Sequence, residues 1–522
     1  MAVFYWFSLR KLVPALVILL AGLYLTRNSG VLKSSSNSEV QVNDPYNDKL
    51  TATNFQRQQA VREATKHAWS AYKQFAWGKD KLRPVSRSYS TEWGGWAITL
   101  VDSLDTLKLM NLDEDYEEAK DFVRTMQFDR TTEGFKTPVF EMTIRALGGL
   151  LGAYELDNDP MLLKQAKQVA DSLSYAFNTT TGLPATHVDV NGKIPLPTDE
   201  ICIAEAGTLQ LEFKKLSQLT GDDKYTKLVE NVSEILERAE KRHEGLYYSF
   251  INIHTGEFNQ SSSLSVGAYA DSFYEYLLKQ YILHDGKELK FKEQYIKSVE
   301  AINSKLVRTS YFGFSFIDSL YYSGTTFSHT LEHLACFYPG LLALGSQVLN
   351  RPQDLDVAKE LARACYHSYN MTPTGLGPEW TIFRAAPASA NSGNNSEHWW
   401  VEEPHFDAYG IGTSNPQYVL RPETVETLFI LYRVTGDTKY QEWGWNIFQA
   451  IEKYAKLEHG YAGVKDVYKT DSVDNHYDSM QSFLLSETFK YLYLLFSPTD
   501  LMPLDEVVFN TEAHALRIMK SK

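Results

Sequence analysis

Seven times along this chain of 522 residues the same pattern returns: an acidic or polar head, an apolar helical run, a short polar stop and a second, amphipathic helix. Its clearest copy is LRPETVETLFILYRVTGD, Leu420–Asp437. Pro422 suits a first helical position, where its missing N–H costs nothing. Glu423 and Glu426 lie three apart and share one face near the positive end of the helix dipole. Leu428 to Leu431 bury the helix body, and Gly436 suits a left-handed stop. Tyr440 to Ile451 reads as the partner helix. The other heads are Asp102-Ser103-Leu104-Asp105, Glu141, Glu205, Asp271 and His333, with a seventh inner helix in Ser479–Phe496. Inner apolar helices alternating with outer amphipathic ones mark a helical repeat array. Irregular spacing and long loops favour a closed toroid over an open solenoid. The expected fold is all-α, an (α/α)7 barrel of seven helical hairpins over residues 49–518, with the polar heads gathered at one end of its axis.

A net charge of −14 argues against a nucleic-acid partner, because nothing in the chain would neutralise phosphates. There are three cysteines. Cys336, on the fifth inner helix, and Cys365, on the outer helix after it, could pair, with Cys202 left as a buried thiol. Three buried thiols in a reducing compartment is the alternative.

Leu12–Leu25 is an unbroken apolar run behind Arg10 and Lys11. It is short of the roughly 20 residues that span a bilayer. The aromatic patch Val3–Phe7 lies just upstream, Arg10 and Lys11 can snorkel, and early secretory membranes are thinner. The expectation is an uncleaved signal anchor: residues 1–11 cytoplasmic, 12–26 in the membrane, 27–48 a Ser/Asn-rich stem, and the body in the lumen of the Golgi or endoplasmic reticulum. A cleaved signal peptide is the alternative. Five N-x-S/T sequons, at Asn178, Asn231, Asn259, Asn370 and Asn394, agree with a lumenal body.

Each acidic head alone has an ordinary explanation, since acids are favoured in a helix first turn. Ser272 with Glu275 even reads as a capping box. The set is harder to dismiss. Glu141, Asp271 and Glu423 come from three different repeats that a toroid would bring to one cavity, where Glu205, Glu426, Glu487 and Glu512 can join them. Clustered carboxylates repel and need protons or a cation. Arg145, four residues after Glu141, and Arg421 can balance charge, and an all-oxygen set selects Ca²⁺ or Mg²⁺ over zinc. Acids with aromatic side chains suit carbohydrate. Phe483, one turn before Glu487, is a candidate platform for a sugar face, although core packing explains it equally well. Trp399 and Trp400 either line the cavity mouth or pin the loop that precedes the sixth head.

The segments LVDSLDTLKLM, VFEMTIRALGGLLGAY, AEAGTLQLEF, ADSFYEYLLK, HLACFYPGLLALG, LRPETVETLFILYR and VFNTEAHAL, between Trp93 and Leu516, together resemble the class I α-1,2-mannosidases, glycoside hydrolase family 47. The resemblance implies an (α/α)7 barrel and inverting, Ca²⁺-dependent hydrolysis of terminal α-1,2-linked mannose from high-mannose N-glycans by a monomer. By motif position Glu141 would be the general acid, acting through water, Glu423 the base, and Asp271 a third essential carboxylate, with a share of the acid role left open. Thr511 would be the direct Ca²⁺ ligand, carried to the centre by a C-terminal segment that plugs the barrel. Arg145, Glu205, His333, Arg421, Glu426, Phe483 and Glu487 would bind sugar or surround the ion, and Cys336 would pair with Cys365. Tyr269 departs from the pattern. Members that stop after one mannose carry Arg there and Golgi-type members Leu, so Tyr269 implies trimming past the first mannose. The loop 385–417 is a further expected determinant of branch choice. The same fold serves lectin-like relatives in glycoprotein quality control; retention of Glu141, Asp271, Glu423 and Thr511 together argues for an enzyme.

Overall fold

The computed structural model describes residues 51–241, 243–321, 326–384, 411–471 and 474–520. The expected anchor and stem, the sequon at Asn394, Trp399 and Trp400 lie outside them. Among the described residues no helix is long and apolar enough to cross a membrane.

The chain is mainly helical. In order come α1 (Ala52–Ala76), α2 (Ile98–Leu109), α3 (Asp113–Thr125), α4 (Gly148–Asp157), α5 (Pro160–Ser174), α6 (Gln210–Thr220), α7 (Lys224–Arg238), α8 (Asp271–Leu283), α9 (Leu289–Lys305), α10 (Tyr338–Val348), α11 (Pro352–Asn370), α12 (Glu423–Thr435), α13 (Lys439–Tyr454) and α14 (Phe489–Leu495). The even-numbered helices from α2 to α14 are the inner ones. They are buried around most of their circumference: in α8 even Glu275, Lys279 and Gln280 are covered. A helix buried on all sides must sit inside a layer of others. Each of the first six inner helices packs on the outer helix that follows it. The seventh, α14, has no outer helix after it, and α1 fills that place from the other end of the chain. The repeat pattern did not anticipate this role for α1. Each inner helix also packs on the next, and the π-helical stretch Leu484–Thr488 before α14 packs back on α2.

The stops behave as expected, with Gly221, Gly286 and Gly436 at φ near +70°. The heads differ from simple helix starts. Pro422 caps α12 from the position before its first residue, Glu423. Glu141 ends a single turn, Val139–Glu141, that enters α4 through the π-helical stretch Met142–Leu147. Glu205 lies in a separate short helix, Ile203–Gly207, and His333 opens a 3-10 turn, His333–Phe337. The capping box at Ser272 does not form: α8 begins at Asp271, the Ser272 hydroxyl accepts from Thr208 at 2.8 Å, and Glu275 pairs with Lys279.

Short antiparallel strands, absent from an all-α expectation, deliver several heads. β1 (Thr137–Pro138) pairs with β2 (His187–Asp189) before Glu141. β3 (Glu200–Cys202) pairs with β4 (Phe250–Asn252) before Glu205. β5 (Thr330–Glu332) runs into His333 and pairs with β6 (Trp380–Phe383), which pairs with β7 (Ile411–Asn415). Cys336 and Cys365 form a disulfide joining the His333 turn to α11.

The last element is a hairpin, β8 (Val507–Phe509) and β9 (Ala515–Arg517). β8 packs on α8 and β9 on α4, while the Phe509 ring meets Phe429 of α12 and Tyr491 of α14, both at 5.8 Å. Room for the hairpin comes from α4: a Cβ at Gly148 would lie 2.5 Å from Asn510, and one at Gly152 would lie 3.2 Å from His514. Phe509→Ala is expected to destabilise the chain by about 3–5 kcal/mol through lost burial and a residual cavity, read as a lower urea midpoint. A change under about 1 kcal/mol would show that the hairpin is not part of the core.

Candidate active site

The tip of that hairpin, residues 510–514, ties inner helices together. The Asn510 side chain donates to the Ile144 carbonyl at 3.0 Å and to Glu212 Oε1 of α6 at 2.8 Å. The Tyr276 hydroxyl of α8 donates to the same Glu212 oxygen at 2.6 Å and accepts the Thr511 N–H at 3.3 Å. His514 lies between Asp102 and Asp105 of α2, at 3.0 and 3.1 Å, and Lys490 of α14 donates to Asp105 and to the Ala513 carbonyl. Glu512 is held by Arg145.

Above this floor stand the acids. Arg145 Nε donates to Glu141 Oε2 at 2.8 Å, its other arm reaches Glu512 and Ser482, and its guanidinium lies over the Phe483 ring, 5.7 Å from the centroid. Phe483 therefore has one face taken by Arg145. On the other side, His333 Nδ1 bonds Glu423 Oε2 at 2.7 Å, and its Nε2 meets the Tyr369 hydroxyl at 2.6 Å. Arg421 bonds mainly to Glu379, at 2.7 and 2.9 Å, and reaches Glu423 at 3.7 Å. Lys279 lies between Glu275 and Glu426. Glu332 accepts from the Ala268 N–H at 2.8 Å beside Asp271. Glu332, Glu379 and Tyr369 were not singled out from the sequence. Glu332 and Glu379 lie outside the helical heads, and only the pairing of β5 with β6 brings them in.

The acids feel one another. Burial pushes Asp271 up to about 7, with Glu332, Glu275 and Glu423 adding repulsion. Burial likewise pushes Glu205 up to about 7, with Glu141 adding to it, and Glu426 up to about 8, with Glu275 and Glu423 adding. Glu487 and Glu512 are raised further, by burial and by each other's neighbourhood of acids. Glu423 goes the other way: burial raises it, but the His333 hydrogen bond and the charges of His333 and Arg421 outweigh burial and hold it below the usual range. Acids from repeats two, three, four, six and seven and from the hairpin thus share one electrostatic neighbourhood. Glu141, Glu205, Asp271, Glu423 and Thr511 keep partial exposure, while Glu426, Glu487 and Glu512 lie buried beneath. An ionised carboxylate facing carboxyls that stay protonated near neutrality is the arrangement for general base and general acid.

Residues 64–518 match glycosyl hydrolase family 47. The chain belongs to that family. It is 42% identical over 475 residues to a mannosyl-oligosaccharide 1,2-alpha-mannosidase of Arabidopsis thaliana, covering 89% of this chain and 79% of the relative. It is 39% identical over 469 residues to the endoplasmic reticulum mannosyl-oligosaccharide 1,2-alpha-mannosidase of Homo sapiens, covering 88% and 64%. A solved alpha-1,2-mannosidase from Trichoderma reesei superposes with a TM-score of 0.83 at 32% identity, covering 89% of this chain and 99% of that one.

In this family 47 chain the backbone also enters the site under strain. Ala97 before α2, Tyr269 before α8, Leu420 before α12 and Ala513 at the hairpin tip all have φ between +48° and +74°. Such conformations cost roughly 1–2 kcal/mol each outside glycine and persist where the surroundings over-determine them.

The raised acids set a pH dependence. Asp271, Glu205 and Glu426 titrate at about 7, 7 and 8 in the fold, against ordinary values of 3.8 and 4.5. The folded chain binds more protons than the unfolded chain across that interval, so their stabilising effect is full below it and lost as pH rises through 7 to 8. With divalent cations chelated, the melting temperature is expected to fall between about pH 5 and pH 8. A melting temperature that rises over that range would refute the protonated state of these acids.

Proposed function

We propose that this cavity hydrolyses terminal α-1,2-linked mannose from high-mannose N-glycans with inversion, as a mannosyl-oligosaccharide 1,2-α-mannosidase. The observation that carries the reading is Glu423, bonded by His333 at 2.7 Å and reached by Arg421 at 3.7 Å, in one cluster of acids with Asp271, whose carboxyl burial pushes up while those partners hold Glu423 down. Glu423, kept anionic by His333 and Arg421, takes the proton of the attacking water. Protonation of the leaving oxygen falls to Glu141, acting through water, or to Asp271, which keeps its proton to about pH 7. Glu141 is paired with Arg145, which orients it. An inverting pair stands roughly 6.5–9.5 Å apart so that water fits between acid and substrate. Arg145, Glu205, Arg421, Phe483 and Glu487 position the sugar around that water.

The family's Ca²⁺ suits these residues. Among the described residues no group of three or more His, Cys, Asp or Glu side chains is arranged as a metal cluster. Buried Glu426, Glu487 and Glu512 are all driven towards the protonated state in a set that offers only hard oxygen donors. A hard cation relieves that repulsion. Thr511, at the hairpin tip, would hold the ion with those acids around it. When bound, Ca²⁺ supplies charge that fixes sugar hydroxyls.

The seven helix pairs, linked inner helix to inner helix and from the seventh back to the first, support closure as an (α/α)7 barrel plugged by the C-terminal hairpin. The chain is further proposed to be a monomer, held by residues 12–26 as a type II protein with its body, residues 49–518, in the lumen of the Golgi or endoplasmic reticulum. Four of the five sequons lie on described residues, and Asn178, Asn231 and Asn370 are exposed there. Tyr269, 56% exposed two residues before Asp271, offers a glycan arm no cation, which supports trimming past the first mannose.

Glu423→Gln is expected to lower kcat about 10²–10⁴-fold at nearly unchanged KM, and chelation to abolish mannose release until Ca²⁺ is restored. Of Glu141→Gln and Asp271→Asn, the one that removes the alkaline limb of the pH–rate profile identifies the donor. Proton NMR of the first product is expected to show β-mannose. Arrest of a nine-mannose glycan at one eight-mannose isomer would refute the broad-trimming reading, and glycan binding without mannose release would replace the enzyme by a lectin.

A further inference from the structure

Among the described residues ten large apolar side chains are exposed, and three of them, Tyr269, Tyr321 and Trp380, gather about one acid, Glu332. Trp380 is 48% exposed and lies directly opposite Glu332 in the β5–β6 ladder. Residues opposite each other in an antiparallel pair project to the same face with Cβ atoms about 5 Å apart. Tyr321 is 41% exposed. Its strand is tied to the segment leading into Tyr269 by two hydrogen bonds between Leu264 and Leu320, of 2.9 and 3.0 Å. Its hydroxyl is within electrostatic reach of both Glu332 and Tyr269. The Tyr269 ring leans on Phe250 at 5.1 Å, and its backbone carbonyl accepts from the Ala204 N–H at 3.0 Å, so a strained residue is fixed on two sides. The carboxylate at the centre is seated by the backbone: Ala268 donates to one oxygen, and only the missing side chain of Gly267 leaves room, since a Cβ there would lie 2.5 Å from it.

Flat rings left in water around a seated carboxylate are not a core feature and not a charged surface. Exposed apolar patches rimmed by polar groups mark binding surfaces. Ring faces against C–H faces, with a carboxylate accepting hydroxyl protons, is the chemistry that holds a pyranose. The patch adjoins the catalytic pocket, because Glu332 lies beside Asp271 and Glu379, next in sequence to Trp380, holds Arg421. We propose that Trp380 and Tyr321, about Glu332, form a second sugar subsite that binds a mannose of a glycan arm not being cut. This rests on the glycosidase reading above, and it makes Trp380 and Tyr321 specificity-determining residues that act on the large substrate alone.

Steady-state kinetics on three substrates separate the possibilities: α-1,2-mannobiose, a free nine-mannose glycan, and the same glycan on a folded glycoprotein. Trp380→Ala and Tyr321→Ala are each expected to raise KM for the free nine-mannose glycan about two- to tenfold, with Trp380→Phe restoring most of it, and to leave mannobiose hydrolysis and kcat on the glycan unaltered. Equal losses on glycan and mannobiose, or no loss on either, would overturn the subsite. A loss confined to the glycoprotein would overturn it too, assigning the patch to the polypeptide. Failure of the unmutated chain to release mannose from any of the three would instead overturn the glycosidase reading, so the two failures remain distinct.

Discussion

The position of His514 between two carboxylates fixes what the rest of the molecule can do. Asp102, Asp105, His514 and Lys490 are all buried, and bringing four charges out of water is costly. It is tolerated because the charges cancel in place. Burial acts to raise Asp102 and Asp105, yet His514 and Arg145 hold Asp102, and Lys490 and His514 hold Asp105, below their ordinary values, while the two aspartates raise His514 against burial. The group joins α2, α14 and the hairpin tip with no degree of freedom left over. Removing one partner of such a set costs about 3–5 kcal/mol because the others are then stranded. The rest of the tip inherits its position from this anchor. Asn510, Thr511 and Glu512 are spaced along a turn whose next residues are already fixed.

One level higher the cancellation stops. Glu426, Glu487 and Glu512 are buried with Arg145 and a shared Lys279 as their cations, and Lys279 is already engaged by Glu275. Burial and mutual repulsion therefore raise all three, whereas Asp102 and Asp105 below them are held down by their cationic partners. The strain at Ala97, Tyr269, Leu420 and Ala513 belongs to the same design. Each left-handed residue turns the chain abruptly just before or within an element that carries one of the buried or half-buried acids or His514.

The periodic parts of this arrangement were legible in the sequence. Inner helices announced themselves by apolar runs, stops by glycine next to Thr or Asp, and the heads by acids where helix dipoles welcome them. The helices α12 and α8 start within a residue of where spacing places them. What spacing could not supply was anything set by contact between distant segments. The role of α1 depends on α14 lacking an outer helix of its own, which no local pattern states. Glu332 ends a strand of three residues and Glu379 immediately precedes one of four, too short for any alternation to register. The Ser272–Glu275 capping box was overridden by tertiary partners, Thr208 for the hydroxyl and Lys279 for the acid. Thr511 came from motif likeness alone, since a threonine near a chain end carries no signal of its own.

The division of labour among the acids shows why motif position and geometry are both needed. Glu423 and Glu426 stand one turn apart on the same helix, in the same first-turn dipole, and are ionised in opposite senses. The helix cannot be the cause, because it acts on both alike. The difference lies in what the neighbouring repeats present. His333, itself braced by Tyr369, gives Glu423 a hydrogen bond and Arg421 gives it a nearby charge. Glu426 faces a lysine already committed to Glu275 and a tyrosine hydroxyl at 3.3 Å. One carboxyl lowered and one raised are therefore made from the same residue type by the partners that the fifth and fourth repeats bring to them. The repeat supplies seven similar heads, and the contacts between repeats decide which of them is charged.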